Sequence, residues 1–227
     1  MSLCNRDIIT GLLPILNSFL HKFTQLNKIK KFICRVRFFA PDLCYDVLMS
    51  NYKRYYNTSS ATVFITFVTY NRKSILLPNI NILRNAFKYA KEKFTFNIIA
   101  ITIMKNHCHL IISTNNPNDI PKIVRTIKFN FTVSVSEQFI TKDVSISTIK
   151  RGEKGIWQRR YYDHIIRNEE DLNKHIDYIH FNSTKHYNIP PKDWQYSSFK
   201  KFVKAGYYDI NWGDYKDVEH IKNMNLE

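Results

Sequence analysis

The sequence predicts an α+β fold, a ferredoxin-like sandwich with an additional helix towards its C-terminal end. Apolar patterns typical of strands and of helices follow one another in the order strand, helix, strand, strand, helix, strand, helix. Apolar residues make up 44% of the 227 residues and aromatic residues 15%, which is enough to build a buried core. No run of 18 apolar residues occurs, so the sequence predicts no membrane span.

Each element has its own pattern. β-branched and aromatic residues dominate 61–69, which predicts a strand with both faces at least partly buried. Apolar residues spaced three and four apart predict amphipathic helices. The predicted helices cover 79–93, 120–135 and 169–183, and further strands are predicted at 96–104 and 107–113, with a strand or extended segment at 156–167. Residues 141–156 are polar and are predicted to form a loop.

The charge balance favours a polyanionic partner. Lys and Arg number 34 against 19 Asp and Glu, which gives a net charge of +15 at pH 7. Aromatic residues are spread along the chain, so nucleic acid is favoured over a membrane surface. The alternative is a basic protein whose lysines only solvate it. Glycine is scarce, with 5 residues, and the sequence contains neither GxGxxG nor GxxxxGK[ST], which argues against a phosphate-binding glycine loop.

The first 48 residues differ from the rest of the chain. They hold three of the four cysteines and show no pattern of a self-sufficient core, whereas Met49 begins a new segment. We expect residues 1–48 to be a dispensable N-terminal extension or the product of a start assigned too early, and residues 49–227 to form the functional domain with a C-terminal tail. The cysteine spacing fits no disulfide framework, and the N-terminal apolar run lacks a clear cleavage site. The expected compartment is therefore the reducing cytoplasm.

His107 and His109 are the first candidate site residues. They lie two positions apart on a predicted strand, so both imidazoles point to one face while Cys108 and Leu110 point into the core. Two adjacent imidazoles on one face can chelate a metal ion. Taken alone, a His-x-His pair on a strand is more often incidental.

The predicted helix over 169–183 carries the second group. Its apolar stripe consists of Leu172, Ile176 and Ile179. Tyr178 lies about 120 to 130° from the centre of this stripe, so it is predicted to lie outside the buried face. Asn182 is one turn further on, and Lys174 and Lys185 flank the same face. A tyrosine nucleophile, an amide oxygen for a metal and cations for phosphates would then project together; the alternative is a half-exposed tyrosine at a domain edge.

Further short motifs occur in order along the chain. They are Tyr70-Asn71-Arg72, Met104 with Asn106-His107-Cys108-His109-Leu110, Trp157-Gln158-Arg159-Arg160, His164-x-Ile166-Arg167, Asp177-Tyr178-Ile179 with Asn182 and Lys185-His186, Asp193-Trp194 and Ser197-Ser198-Phe199. Each is short, but the ordered set resembles the REP-associated tyrosine transposases, relatives of the single-tyrosine HUH transposases of small insertion sequences. The resemblance extends from about Met49 to Gly213.

The resemblance implies an RRM-like sheet with the histidine pair on a central strand and a nucleophile on a C-terminal helix. It implies that His107, His109 and Asn182 bind Mg²⁺ or Mn²⁺ and that Tyr178 is the nucleophile. The implied activity is cleavage and strand transfer of single-stranded DNA at hairpin sites through a 5′-phosphotyrosine. The chain departs from the family pattern in two places. Lys105 replaces a proline, and Asn-Ser-Thr-Lys-His-Tyr at 182–187 replaces Asn-Pro-Val-Lys-His-Gly.

DNA binding requires cations next to aromatic rings. The candidates are Lys53 and Arg54, Arg159, Arg160 and Arg167, and the two helix lysines Lys174 and Lys185. The alternative is that Trp157 and Tyr161 belong to the core and the arginines pair with Asp163, Glu169 or Glu170. The expected partner is hairpin-containing single-stranded DNA, bound by a monomer or homodimer.

Two other functions remain open. One is a DNA- or RNA-binding regulator that keeps the fold and does not cut, and the other is a metal-dependent nuclease without a covalent step. Detection of a covalent protein–DNA adduct distinguishes all three functions.

Overall fold

The structure is a computed structural model that describes residues 58–141, 150, 153–221, 223, 224 and 226. Its strands are β1 (Ala61–Val68), β2 (Asn97–Ile103), β3 (His107–Thr114) and β4 (Tyr162–Ile165). The helices that pack around them are α1 (Ile80–Lys93), α2 (Ile120–Ser134), α3 (Glu169–Tyr187) and α4 (Phe199–Lys204). The predictions for residues 1–48, for Lys53 and Arg54, and for most of the loop at 141–156 lie outside the described residues.

The four strands form one antiparallel sheet in the order β2-β3-β1-β4. This arrangement confirms the predicted ferredoxin-like α+β class, in which the two central strands are β3 and β1. The register places Thr66 of β1 opposite His109 of β3 and also opposite Tyr162 of β4. Alternation along β1 and β3 then gives each strand one row of side chains for each face of the sheet.

Helices α1 and α2 cover one face and form the main core with it. Helix α1 buries Leu83, Ala86, Phe87 and Ala90, and α2 buries Ile120, Ile123, Val124, Ile127 and Phe131, both at helical spacing. The sheet contributes Val63, Ile65 and Phe67 from β1 and Cys108, Leu110 and Ile112 from β3. Ile156, at which the predicted loop ends and the predicted extended segment begins, also belongs to this core.

Helix α3 covers the opposite face, over Phe64, Ala100 and Ile111. The Asn168 side chain caps it by accepting the backbone N–H of Asp171 at 2.8 Å, and acidic residues in the first turn complement the helix dipole. The helix ends where Asn188 adopts a left-handed conformation with φ 54°, one turn beyond the predicted end.

The residues after α3 close the remaining sides. The segment around Ser197 runs along the edge of β2, where the N–H of Ser198 donates to the carbonyl of Ile101 at 2.9 Å. Val218 and Ile221 pack against α3 on the side away from the first core. Within the part of the chain that the structure describes, no helix combines the length and the apolar character needed to cross a bilayer.

Candidate active site

His107 and His109 lie side by side on the central strand β3 and face α3. Both are buried, with 2% and 0% of their surfaces exposed, and their ring centroids are 4.7 Å apart. Cys108 and Leu110 face the opposite core, as strand alternation predicts. The two imidazoles therefore share one face of the sheet, beneath the helix that carries Tyr178.

Thr66 determines which nitrogen of His109 carries a proton. The Thr66 hydroxyl donates its one proton to the carbonyl of Leu226 at 2.9 Å. Its 2.7 Å contact with Nδ1 of His109 must therefore have the imidazole as donor. The neutral ring then carries its lone pair on Nε2. Hydrogen bonds of this kind at the far nitrogen orient an imidazole for metal binding.

Asn106 acts in the same way on His107. Its Nδ2 donates to the carbonyl of Arg72 at 3.1 Å, which leaves Oδ1 to accept from Nδ1 of His107 at 2.6 Å. On the other side of the ring, Nε2 of His107 lies 3.4 Å from Oδ1 of Asn182. The amide of Asn182 is oriented because its Nδ2 donates to the carbonyl of Tyr178 at 3.3 Å. Two acceptor atoms thus face each other, and a bound cation would stabilise this arrangement.

The donor set formed by His107, His109 and Asn182 fits a divalent cation. Imidazole nitrogens are ligands for first-row transition ions, and an amide oxygen suits Mg²⁺ and Mn²⁺. All three side chains are buried. Their second hydrogen bonds, to Asn106, to Thr66 and to the backbone of Tyr178, hold the ligand atoms in place.

Tyr178 lies over the histidine pair. Its ring centroid is 5.3 Å from that of His109 and 6.1 Å from that of Phe64, in edge-on contacts, and only 3% of the residue is exposed. The prediction that Tyr178 lies outside the buried face of its helix is therefore wrong. The Tyr178 ring points towards the sheet and contacts residues of β1 and β3, so the buried face of α3 is wider than its apolar stripe.

The structure separates the two lysines that the sequence places beside Tyr178. Nζ of Lys185 lies 3.4 Å from the Tyr178 hydroxyl and 5.0 Å from the ring centroid. Lys174 instead donates to Glu170 at 2.6 Å, one turn earlier on the helix. The ring of His186, the residue after Lys185, lies 5.2 Å from that of His107.

The predicted DNA-binding arginines have different surroundings. Arg159 and Arg160 are exposed on the segment that precedes β4. Arg167 pairs with Asp171, with Nε 2.9 Å from Oδ2. Trp157 and Tyr161 pack partly buried against the first core. The two rings thus pack against the core as the alternative expects, whereas Arg167 pairs with Asp171, a carboxylate that the alternative does not name. The roles of Arg159, Arg160 and Arg167 in DNA binding stay predictions.

A second polar cluster lies at the start of α3. His164, Asp171 and His175 bring their ligand atoms within 4.8 Å of one another. Asp171 accepts from Nε2 of His164 at 2.9 Å and from two guanidinium nitrogens of Arg167, so a protein cation already balances its charge. Burial alone would raise the pKa of Asp171, but these hydrogen bonds outweigh it and hold the pKa well below its usual range. The cluster therefore joins β4 to the first turn of α3.

Sequence reasoning missed Thr66 and the carbonyl of Leu226. Thr66 could be found from the sheet order, because it lies opposite His109 once β1 and β3 are paired. Leu226 is 160 residues from Thr66 along the chain, and no local pattern indicates that contact.

Comparisons with known proteins cover most of the chain. The family model of IS200-like transposases matches residues 57–182, a range that includes His107, His109, Tyr178 and Asn182. A Haemophilus influenzae protein named as a REP-associated tyrosine transposase is 38% identical over 174 residues, which are 75% of this chain and 97% of the relative. The REP-associated tyrosine transposase of Escherichia coli K12 is 35% identical over 173 residues, 74% of this chain and 94% of the relative.

A solved structure has a similar fold. It is that of a REP-associated tyrosine transposase bound to a REP hairpin, with a TM-score of 0.61 and 31% identity. The match covers 78% of this chain and 96% of that chain.

Proposed function

The chain belongs to the IS200-like transposases and among them to the REP-associated tyrosine transposases, DNA-processing enzymes, and from this premise we propose that it cleaves and rejoins single-stranded DNA at REP-like hairpins through a phosphotyrosine on Tyr178. One observation carries the proposal. The Tyr178 ring lies 5.3 Å from His109, while Oδ1 of Asn182 lies 3.4 Å from Nε2 of His107, so the proposed nucleophile and the proposed metal ligands lie in one buried cluster.

In the proposed reaction the phenol oxygen of Tyr178 attacks a backbone phosphorus. The new O–P bond replaces the bond to the 3′ oxygen, which takes up a proton and leaves as a 3′-OH, while the 5′ end remains on the enzyme. Phenols titrate near pH 10, so the phenolate is scarce at neutral pH. Lys185 stabilises this anion because its ammonium donates to the oxygen, 3.4 Å away.

Joining of strands follows from the same chemistry. Each attack exchanges one phosphoester bond for another, so the phosphotyrosine keeps the ester and no nucleotide cofactor is needed. A second 3′-OH that enters the site attacks the phosphotyrosine, returns the proton to Tyr178 and releases a joined strand.

The ligand set has a defined task in this reaction. His107, His109 and Asn182 would hold Mg²⁺ or Mn²⁺, which when bound polarises the phosphate and offsets the charge that builds up on it. Thr66 and Asn106 maintain the tautomers that present Nε2 of each imidazole.

The proposed substrate is single-stranded DNA that carries a hairpin. The related solved transposase is bound to a REP hairpin, and this chain has a net charge of +15, which suits a polyanion. Lys53, Arg54, Arg159 and Arg160 are further proposed phosphate contacts. The protein is proposed to act as a monomer or homodimer.

Tyr178→Phe tests the mechanism. The substitution removes one oxygen and keeps the ring contacts with His109 and Phe64. We expect unchanged affinity for hairpin DNA and no covalent adduct, measured with a 3′-labelled hairpin substrate as a shifted band in a denaturing gel. Tyr187→Phe is the matched control, since it removes a hydroxyl from the last turn of the same helix and should keep the adduct.

The other outcomes identify the alternatives. An adduct that persists in Tyr178→Phe and disappears in Tyr187→Phe would assign the nucleophile to Tyr187. Cleavage by the unaltered protein without any adduct would support a metal-dependent nuclease. Hairpin binding with neither cleavage nor adduct would support a non-cleaving regulator.

A further inference from the structure

A groove of about 480 Å³ lies on the α2 side of the sheet, away from the candidate active site. One wall is the outward face of α2, and the other is the segment of residues 153–161 that leads into β4. We refer to it as the α2 groove. The sheet separates it from α3, so it does not share side chains with the site around Tyr178.

The apolar part of the α2 groove is exposed. Phe129 and Val133 lie one turn apart on α2 with 62% and 51% of their surfaces exposed. The indole of Trp157 forms the base of the groove. Its ring packs on Phe67 and Phe131 at 5.3 and 5.1 Å, and its N–H donates to the carbonyl of Lys128 at 3.0 Å. The groove thus presents a fixed aromatic base beside an exposed phenyl ring.

Cations surround these rings. Arg125 precedes Phe129 by one turn on α2, and Arg159 and Lys154 lie on the opposite wall, all three exposed, against one acidic residue, Glu153. Lys128 has a structural task, because its Nζ donates to the carbonyl of Gln158 at 2.7 Å and so ties the two walls together. The lining is therefore aromatic and positively charged.

We propose that the α2 groove is a second DNA-binding site, which takes an unpaired nucleotide of the substrate with its base stacked on Phe129 and its phosphates on Arg125 and Arg159. The inference rests on the proposed function, since it assumes a DNA substrate. Proteins bind single-stranded nucleic acid by stacking its bases on aromatic side chains and placing cations beside its phosphates. A second copy of this chain fits less well, because it would bring the same cations together.

The chain itself connects the α2 groove to the active site. Residues 157–159 and 161 line the groove, β4 follows at the sheet edge, and α3 begins four residues after β4 ends. Tyr162 on β4 is 42% exposed, and its ring lies 6.2 Å from that of Phe64 on the α3 side. A strand held in the groove and continuing past this edge reaches the face on which Tyr178 lies.

Phe129→Ala tests the stacking contact. Because the ring is mostly exposed, the fold should persist. We expect the Kd for a hairpin substrate, measured by fluorescence anisotropy, to rise about tenfold. Tyr89→Ala on α1 is the matched control, since Tyr89 is 42% exposed and has Lys93 5.5 Å from its ring but lies outside the α2 groove. Equal Kd values for Phe129→Ala and the unaltered chain would overturn the proposal.

Photocrosslinking identifies the occupant directly. We expect the full chain with p-benzoylphenylalanine in place of Phe129 to crosslink to an unpaired nucleotide of the hairpin substrate, and the same replacement of Tyr89 to give no DNA crosslink. A crosslink between two copies of the chain, or none, would overturn the proposal. If the unaltered chain forms no Tyr178 adduct but the DNA crosslink at 129 appears, the proposed function fails and the second site stands.

Discussion

The chemistry of the candidate site depends on single hydrogen bonds made by its neighbours. Thr66 and Asn106 leave His109 and His107 with their lone pairs on Nε2. The lysines show the same dependence. Lys174 lies one turn before Tyr178 but donates to Glu170, whereas Lys185, two turns after Tyr178, reaches the phenol oxygen.

Lys185→Met is expected to slow adduct formation by about ten- to a hundredfold, because a hydrogen bond to a charged group contributes about 1.5–3 kcal/mol. Single-turnover adduct formation at neutral pH tests this. Lys174→Met is the control and should leave the rate unchanged; equal slowing of the two variants would remove Lys185 from the mechanism.

At the scale of elements, α3 is held at its first turn by the Asp171 cluster and at its last turn by Tyr187. The first attachment is electrostatic, through Arg167 and His164. The attachment at the last turn involves the two places at which the chain departs from the family pattern, Lys105 and the segment 182–187. The backbone N–H of Lys105 donates to the Tyr187 hydroxyl at 3.2 Å, and the Lys105 ammonium lies 4.6 Å from the ring centroid. A proline at 105 could not donate this hydrogen bond.

Asp171→Asn is expected to lower the free energy of unfolding by about 1–3 kcal/mol at pH 7. The pKa of Asp171 is held below its usual range in the folded chain. Its contribution is therefore present above the unfolded value of about 3.9 and is lost as the pH falls through and below that value. Urea unfolding at pH 7, 5 and 3 should show the difference between variant and unaltered chain shrinking at pH 3. Glu170→Gln, on the exposed side of the same turn, should change little at any pH.

Lys105→Ala and Tyr187→Ala should lower stability by less together than the sum of their separate effects. The expected coupling is about 0.5–1 kcal/mol, the usual value for a cation over an aromatic ring near the surface. A double-mutant cycle in urea measures it. Strict additivity would show that the Lys105 ammonium and the Tyr187 ring do not stabilise each other.

Sequence patterns predicted the elements because strand alternation and helical spacing are local properties of each segment. The alternation in β3 correctly separates His107 and His109 from Cys108 and Leu110, and the spacing in α1 and α2 identifies their buried faces. Such local patterns do not predict contacts between segments that are distant along the chain. Tyr178 is buried because its ring reaches Phe64 on β1 and His109 on β3, and a helical projection of α3 alone does not contain those residues.

At the scale of the whole molecule, the positive charge is only partly available to a ligand. The chain carries 34 Lys and Arg against 19 Asp and Glu. Several cations are engaged locally, since Arg167 pairs with Asp171, Lys174 with Glu170 and Lys122 with Asp119. The number of cations that contact phosphates should therefore be much smaller than the total.

If about five or six Lys and Arg contact phosphates, the affinity for single-stranded DNA should fall with a log–log salt slope of about −4. Fluorescence anisotropy with a hairpin substrate and a scrambled strand of equal length, at several salt concentrations, measures the slope. The hairpin should bind more tightly at every concentration. Arg159→Gln should reduce the magnitude of the slope by about 0.7, the value for one lost contact to a single strand. Lys122→Gln, which removes a cation that already pairs with Asp119, should leave the slope unchanged. A flat salt response would mean that the net positive charge does not serve DNA binding.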